Sequence, residues 1–326
     1  YYADPDMIEL LLKNGANPDI EDLNYDRLLF DAIYNEDKEL VDLLLYYGAD
    51  ANKANSYGET PIMIAEYYGY NDIARTLMNY GAESQAYMVE SFELGDLEFV
   101  KKLVEEGKIN EKINNRTPVY LATYYYQPEL IEYLVENGAD LNILSGENDD
   151  PPIFNIIDVG DIEILDYLIT SGAEVNIYNM NGITPLLLAA SYSDKDAYDV
   201  LVDYGAEEDV SDYSGNIALS YVVYFGEEGY LDFAKYLIEK GAVSDINKLS
   251  DYGEAPLYWA LSAANYEGAD LLIEYGADID LKDISGNTLL HTAVENNDLQ
   301  AVKYLVEKGA NFNLENEWGE TPLQLS

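Results

Sequence analysis

The sequence has no cysteine and only one histidine, His291, among its 326 residues. The absence of cysteine excludes disulfide bonds, thiolate metal sites and cysteine nucleophiles, and it fits a reducing compartment. One imidazole cannot form a two-histidine zinc site and leaves little material for a histidine-based catalytic triad. Several common catalytic and metal-binding chemistries are therefore excluded by composition.

Positive charge is also scarce. Seventeen Lys and Arg residues face 63 Asp and Glu residues, which gives a formal net charge of −46. A surface this negative repels nucleic-acid phosphates and anionic lipid headgroups, so direct binding to DNA, RNA or a membrane is not expected. A basic partner would instead be attracted from a distance and oriented as it approaches. Plain solubility, or life in high salt, explains the charge equally well at this stage.

Long apolar runs are absent as well. None approaches the roughly 18 residues needed to span a bilayer, and the first residues show no secretory-signal pattern. Hydrophobic residues nevertheless make up 48% of the chain and charged residues 25%, which is typical of folded proteins. We expect a folded protein of the cytoplasm or of the interior of a host cell.

The sequence does contain a repeat of about 33 residues, marked by Gly-Ala pairs. Apolar residues precede each glycine at i, i+3 and i+4, as in IELLLKNGA at 8–16, and predict one buried helical stripe. The glycine supplies a left-handed stop for that helix. A degenerate member has Gly107 followed by Lys108. The glycines of the Gly-Ala pairs are Gly15, Gly48, Gly81, Gly138, Gly172, Gly205, Gly241, Gly276 and Gly309.

About 12 residues after each glycine, the first helix of the next unit begins with Thr-Pro or a relic of it. Threonine caps a helix, and proline suits the first turn, where no amide donor is needed. A short polar segment with its own turn glycine lies in between and predicts a hairpin-like finger. Each unit is therefore a finger, a first helix, a tight turn and a second helix. Both residues are kept at Thr60-Pro61, Thr117-Pro118, Thr184-Pro185 and Thr321-Pro322.

This pattern resembles the ankyrin repeat over the whole chain. Residues 285–313, SGNTLLHTAVENNDLQAVKYLVEKGANFN, carry nearly the full family signature. The resemblance implies an all-α fold, an ankyrin-repeat α-solenoid with short hairpin-like fingers that is curved and has a concave binding face. His291 falls on the histidine of the family's Thr-Pro-Leu-His motif, which implies a structural imidazole bonded between neighbouring repeats.

The repeat register predicts a single solenoid over residues 1–326. We expect nine full helix pairs at 27–308, a lone second helix at 5–14 and the start of a first helix at 321–326. Both ends are expected to be cut from a longer protein. A repeat without a finger is expected near 81–107, because its first helix begins near Ala86. Glycine gaps of 36 and 35 residues imply small insertions near 226–230 and 243–252.

Catalysis is not expected from this chain. Acid–base chemistry needs a pocket that shifts carboxylate pKa values, and a solenoid surface seldom provides one. Asp209, Ser211 and Asp212 resemble the start of a calcium loop, but Ser220 stands where such a loop needs a bidentate Glu. We predict no enzymatic activity, no metal and no cofactor.

Tyrosine is abundant, with 32 residues. In ankyrin repeats the two residues after the Ala-Ala of the first helix face the concave groove and contact partners. Tyr and Trp suit such positions because they bury a large area with few rotatable bonds. Other tyrosines, namely Tyr133, Tyr167, Tyr236 and Tyr304, are expected to pack between second helices. Carried over one at a time, the groove positions hold Tyr34, Tyr67, Tyr68, Tyr124, Tyr125, Tyr192, Tyr224 and Phe225, and the finger tips add Tyr57, Tyr213, Tyr252 and Trp318.

The interpretation that follows is a protein–protein interaction module that binds a protein partner, with a basic one favoured, along its concave face. Three alternatives stay open: an acidic decoy that imitates a nucleic-acid backbone and inhibits a DNA- or RNA-binding protein, a substrate-recruiting part of a larger enzyme, and a passive spacer. Repeat sequences such as ENGADLN and EYGADID are similar in composition to ankyrin arrays of large viruses and intracellular bacteria. The oligomeric state does not follow from the sequence.

We predict that salt stabilises the fold. A charge of −46 over about ten repeats places several excess carboxylates on each repeat beside like-charged neighbours. The Debye length falls from roughly 30 Å at 0.01 M salt to about 8 Å at 0.15 M, so repulsion between repeats should fade. Thermal melting between 10 and 300 mM NaCl checks this, and an unchanged or lower melting temperature at high salt would contradict it.

Overall fold

The computed structural model describes residues 5–21, 27–225 and 229–325. Within these ranges the chain forms α-helices, one short 3-10 turn and isolated β-bridges, with no strand. No described helix has the length and apolarity that crossing a membrane would need. The helices are α1 Pro5–Lys13, α2 Leu28–Tyr34, α3 Lys38–Tyr46, α4 Pro61–Tyr67, α5 Asn71–Asn79, α6 Gln85–Glu93, α7 Leu97–Glu105, α8 Pro118–Tyr124, α9 Pro128–Glu136, α10 Pro152–Val159, α11 Ile162–Thr170, α12 Pro185–Ser191, α13 Lys195–Asp203, α14 Ala218–Phe225, α15 Tyr230–Lys240, α16 Pro256–Ser262, α17 Tyr266–Glu274, α18 Leu289–Glu295 and α19 Leu299–Glu307, followed by the 3-10 turn Pro322–Leu325.

The contacts of the chain divide into two compact units, Tyr1–Ser91 and Phe92–Ser326, with the boundary inside α6. The expected single solenoid therefore stays a prediction, and each unit is described by itself. Residues 226–228 of the expected insertion near 226–230 lie outside the described residues, as does Ser326 at the chain end. The insertion near 243–252 falls in the connection between α15 and α16.

In the first unit the first helices α2 and α4 pack together, and so do the second helices α3 and α5. Their apolar stripes form one core that includes the buried Ile33, Leu44 and Leu77. In the second unit the first helices α8, α10, α12, α14 and α16 pack in succession. The i, i+3 and i+4 spacing accounts for this layering, because it places the apolar side chains of each helix on one face.

The predicted stop and start signals are confirmed locally. The glycine after each second helix has a φ between +76° and +110°, the left-handed region that other residues rarely adopt. The hydroxyls of Thr60, Thr117 and Thr184 accept hydrogen bonds from backbone N–H groups three residues later, as caps do. Pro151 stands at the equivalent position of α10 and provides no side-chain cap.

His291 is fully buried and joins two repeats. Its Nδ1 lies 3.1 Å from the Thr288 backbone nitrogen, which can only donate, so Nδ1 is the acceptor. Its Nε2 lies 3.0 Å from the Glu320 carbonyl oxygen of the following repeat and donates to it. The histidine therefore has the structural role that the family resemblance implied.

The fingers of the second unit are linked by backbone hydrogen bonds. Tyr213 N–H donates to the Asn181 carbonyl at 3.1 Å, and Asp251 N–H donates to the Ser214 carbonyl at 2.8 Å. The fingers lie so close that a Cβ added at Gly182, whose φ is +76°, would meet the Tyr213 backbone nitrogen at 2.6 Å. By contrast, residues 80–84 alone connect α5 to α6, whereas residues 171–184 connect α11 to α12.

Second helices of the second unit are joined by tyrosine hydroxyls that donate to carboxylates of the preceding repeat. This arrangement, the tyrosine–carboxylate ladder, runs from α19 back to α11. A phenol is a neutral hydrogen-bond donor to a carboxylate, and here it supplements the lysines that also lie within 4.0 Å of Asp199, Glu239 and Asp270. The bonds are Tyr204 to Asp166 at 2.7 Å, Tyr236 to Asp199 at 2.5 Å, Tyr275 to Glu239 at 2.6 Å, and Tyr304 to Asp270 at 2.5 Å.

Two of the four tyrosines that the sequence predicts to pack between second helices belong to the ladder. Tyr236 and Tyr304 bond to the preceding second helix, as expected for residues that pack between repeats. Tyr133 and Tyr167 are also half-buried, but the described residues show no such bond for Tyr133. Desolvation, and then the hydrogen bond to Asp270, raises the pKa of Tyr304. The ladder therefore favours the protonated phenol.

We predict that Tyr304→Phe lowers the free energy of unfolding by about 1 kcal/mol, since it removes a hydrogen bond to a charged acceptor. The matched control is Tyr133→Phe, at the same position of α9, which should change little. The folded-state pKa of Tyr304 is raised, so the stabilisation is present below the unfolded phenol value of about 10 and is lost as the pH rises above it. Denaturation of both variants at pH 8 and at about pH 10.5 tests this; a Tyr304→Phe effect that does not shrink at high pH would contradict it.

Candidate protein-binding surface

Every side chain proposed from the sequence as a partner contact is accessible at least in part. Eleven of the twelve are exposed, from 41% for Tyr224 to 85% for Tyr57, and Tyr125 is half-buried. The groove positions lie at the carboxyl-terminal ends of the first helices, and we call this the first-helix surface of each unit. These exposed rings lie outside the core, which consists mainly of Leu, Ile, Val and Ala with a few buried aromatic residues such as Phe30 and Phe154.

In the first unit the first-helix surface carries a small cluster of tyrosines. The Tyr34 ring lies 6.1 Å from the Tyr68 ring in an edge-to-face arrangement across two repeats. Tyr68 also contacts Tyr67 edge-to-face at 5.1 Å and stacks on Tyr70 at 5.6 Å. Edge-to-face and offset contacts are the favoured geometries of aromatic pairs, so these rings hold one another in place.

The second unit has a comparable cluster at α8. The Tyr124 ring contacts Tyr125 edge-to-face at 5.1 Å and stacks on the buried Tyr120 ring at 6.2 Å. The guanidinium of Arg116 lies over the Tyr124 ring, 5.0 Å from its centroid. Desolvation raises the pKa of Tyr125, and the carboxylate of Glu93 adds to the shift. The chain thus already places one of its own cations on an aromatic ring of this surface.

Tyr192, after α12, is bonded to a carboxylate instead of to other rings. Desolvation of its hydroxyl, together with its hydrogen bond to Asp158, raises the pKa of Tyr192 to about 12. Desolvation also raises the pKa of Asp158. The pair separates the cluster at α8 from a third cluster at α14 and α16.

The third cluster contains rings that the sequence analysis did not select. Tyr224 lies edge-to-face with Trp259 at 5.3 Å and with Phe225 at 5.1 Å, and Tyr221 stacks on Phe225 at 6.3 Å. Trp259 and Tyr221 precede the Ala-Ala positions of their helices, whereas the family resemblance assigns partner contacts to the two residues that follow those positions. A signal was present, because they share the helix position that holds Ile64, Leu121 and Leu188 in three other first helices.

The proposed finger-tip contacts are spread out. Tyr213 contacts the Tyr178 ring of the preceding finger at 5.7 Å. Tyr57, Tyr252 and Trp318 are exposed at 85%, 67% and 66%, each on a different finger. These tips extend the accessible aromatic area beyond the first helices.

Most of the basic side chains are engaged within the chain. At least twelve of the seventeen Lys and Arg residues lie within 4.0 Å of a carboxylate. Examples are Lys308 with Asp270 at 2.6 Å and Lys240 with Glu208 at 3.1 Å. Carboxylates such as Glu129, Glu132 and Glu136 on α9 are exposed. In the described ranges, no three potential metal ligands come together. The surface is therefore an array of rings in a negative field.

Models of ankyrin repeats match most of the chain. A three-copy model matches residues 1–88 and 153–248, a many-copy model matches 259–306 and 290–326, and a single-repeat model matches 114–145. The matched ranges include all three aromatic clusters of the first-helix surfaces.

The chain is similar in sequence to parts of much longer proteins of different kinds. The chain is 34% identical over 125 residues to phosphocholine transferase AnkX of Legionella pneumophila, covering 38% of this chain and 13% of that protein. It is 27% identical over 310 residues to human transient receptor potential cation channel subfamily A member 1, covering 89% of this chain and 24% of that protein. The chain thus spans a quarter or less of the length of either relative.

Solved structures of ankyrin domains are similar in fold. The ankyrin repeat domain of Bcl-3 aligns with a TM-score of 0.53 at 25% identity, over 65% of this chain and 95% of that one. The human ASB11 ankyrin repeat domain aligns with a TM-score of 0.53 at 22% identity, over 65% and 92%, and shows the fold alone.

Proposed function

The chain belongs to the ankyrin-repeat family, whose repeats form protein-interaction modules, and from that premise we propose that it binds a basic protein partner through its first-helix surfaces. In this family those positions line the concave face. The observation that carries the proposal is the pairing of accessible aromatic rings with carboxylates along the first helices.

The rings supply the contact area. Clustered rings that already touch one another lose little conformational freedom on binding, which is why Tyr and Trp dominate binding hot spots. Tyr67, Tyr68 and Tyr124 are half or more exposed and are held by edge-to-face neighbours. A partner that covers such rings gains apolar burial at a low entropic cost.

The carboxylates beside the rings set the partner's charge. The pKa of Tyr125 is raised by desolvation and by Glu93, that of Tyr120 by desolvation and by Asp150, and that of Tyr192 by desolvation and by Asp158. Because most Lys and Arg side chains already pair with carboxylates of the same chain, the remaining negative charge has no internal counterpart. Lys and Arg satisfy both features, since they bind carboxylates and lie over aromatic faces.

Binding kinetics of a partner isolated by affinity purification test this proposal. We expect Tyr67→Ala with Tyr124→Ala to speed dissociation about 30-fold, since truncating a buried aromatic anchor usually costs 2 kcal/mol or more and acts on release. The matched control is Tyr46→Ala, an equally large ring that is 70% exposed on a second helix, and it should bind normally.

The contribution of the carboxylates to binding is tested separately, by the association rate. Neutralising Glu129, Glu132 and Glu136 to Gln should slow association modestly and flatten its salt dependence, because charges outside a contact act on the encounter rate. Unchanged binding by the double tyrosine variant would place the site off the first helices. If competing polyanions displaced the partner from that variant as easily as from the original chain, the nucleic-acid-mimicking decoy would be the better explanation.

A further inference from the structure

The cluster at α14 and α16 of the second unit encloses a pocket of about 250 Å³. Four of its six lining side chains are aromatic, and the other two are Asn216 and Ser220. The pocket belongs to the first-helix surface, since Tyr224 and Phe225 are two of its walls. It is lined by Asn216, Ser220, Tyr221, Tyr224, Phe225 and Trp259.

Two polar atoms of the lining residues have no hydrogen-bond partner. The Oδ1 of Asn216 and the Nε1 of Trp259 are buried and unpartnered within the described part of the chain. Leaving a buried polar group unpaired costs on the order of 1–3 kcal/mol, so such groups in a native protein call for an explanation. One is an acceptor and the other a donor, and both belong to the same pocket.

Asp212 fixes the orientation of the Asn216 side-chain amide. The Nδ2 of Asn216 donates to Asp212 Oδ2 at 3.0 Å, and the Tyr221 hydroxyl donates to the same oxygen at 2.7 Å. An ionised carboxylate can only accept, so the amide nitrogen must face it and the amide oxygen must face away. The amide oxygen of this lining residue is therefore an unpaired acceptor that faces away from the carboxylate.

An equivalent position elsewhere in this unit shows what completes the arrangement. Arg116 stands two residues before α8, and Asn216 stands two residues before α14. At α8 the Arg116 guanidinium covers the Tyr124 ring at 5.0 Å. Tyr224 occupies the position of Tyr124, yet no cation of the described chain lies over it. The second site thus has the equivalent ring but lacks the cation.

We propose that this pocket binds one lysine or arginine side chain of the basic partner. The cation lies against the aromatic faces, as Arg116 does on Tyr124, and one of its N–H groups donates to Asn216 Oδ1. Trp259 Nε1–H donates to a carbonyl of the partner's backbone. An apolar side chain would leave both atoms unpaired, and an ionised acidic one could not donate to Asn216 Oδ1. The inference rests on the proposed function and names the contact that makes the partner basic.

The two tryptophans make the pocket directly observable. Trp259 lies in the pocket and Trp318 lies on a finger, so the chain has two indole N–H resonances, one reporting and one internal control. The probes are the N-acetyl, N-methylamide forms of lysine, arginine, norleucine and Nε-trimethyl-lysine. We expect saturable shifts of the Trp259 resonance with lysine and arginine at a Kd on the order of 1 mM, which is ordinary for ligands of this size.

The controls separate charge from shape. Norleucine has the same carbon chain without the charge and should not shift Trp259. Trimethyl-lysine keeps the charge but has no N–H for Asn216, so it should bind more weakly than lysine. Equal shifts with norleucine, tighter binding of trimethyl-lysine, or no saturable shift with either cation would overturn the proposal.

Asn216→Arg is the matched variant, because it restores the residue found at the equivalent position before α8. Its own guanidinium should occupy the pocket and abolish the Trp259 shift, with the Trp318 resonance and the melting curve confirming the fold. Asn216→Ala should weaken lysine binding about tenfold by removing the acceptor. If both variants bound lysine as the original chain does, the assignment would be wrong.

The pocket experiment and the experiment on Tyr67 and Tyr124 can fail separately. A pocket that ignores cations, in a chain whose partner still depends on Tyr67 and Tyr124, would remove only this inference. A pocket that binds lysine, in a chain whose partner is unaffected by those two tyrosines, would instead locate the partner near α14 and α16 and contradict the wider surface.

Discussion

The structure depends on carboxylates of one repeat finding donors, most of them neutral, on the same or the next repeat. A chain with 63 acidic and 17 basic residues cannot pair most of its charge as salt bridges. Tyrosine hydroxyls at four successive second-helix interfaces take that role, and backbone N–H groups at helix starts take it elsewhere, as at Asp161 and Asp298. Three of the four ladder carboxylates also pair with a lysine, so these neutral donors supplement the ion pairs and do not replace them.

Tyrosine serves stability on second helices and, in the function that we propose, recognition on first helices. On second helices the phenol bonds to a neighbouring carboxylate and is partly buried, as at Tyr236 and Tyr304. On first helices the rings contact one another and stay accessible, as at Tyr67 and Tyr124. Since the fold itself uses most of its Lys and Arg in ion pairs, the partner that we propose is a basic one.

The comparison of Arg116 with Asn216 shows how a repeat protein can vary one position beside an equivalent ring. Both residues precede a first helix by the same distance, and each lies beside an equivalent tyrosine, Tyr124 or Tyr224. At α8 the chain places its own guanidinium over the Tyr124 ring, whereas at α14 the equivalent residue is an amide with an unpaired oxygen. Both rings remain exposed, Tyr124 at 50% and Tyr224 at 41%. Because each repeat contacts mainly its neighbours, such a change leaves the rest of the stack intact.

The sequence by itself determined the repeat, its helices and their ends, because these depend on local spacing and on single residues such as Gly172 and Thr184. It also identified His291 as structural and placed the accessible rings, since helical periodicity decides which face a residue occupies. Only the tertiary structure decided which ring meets which neighbour. The pocket around Trp259, its link through Asp212 to Asn216, and the ladder from Tyr304 to Asp270 all join residues of different elements or repeats, and contacts of that kind depend on the packing of one repeat on the next.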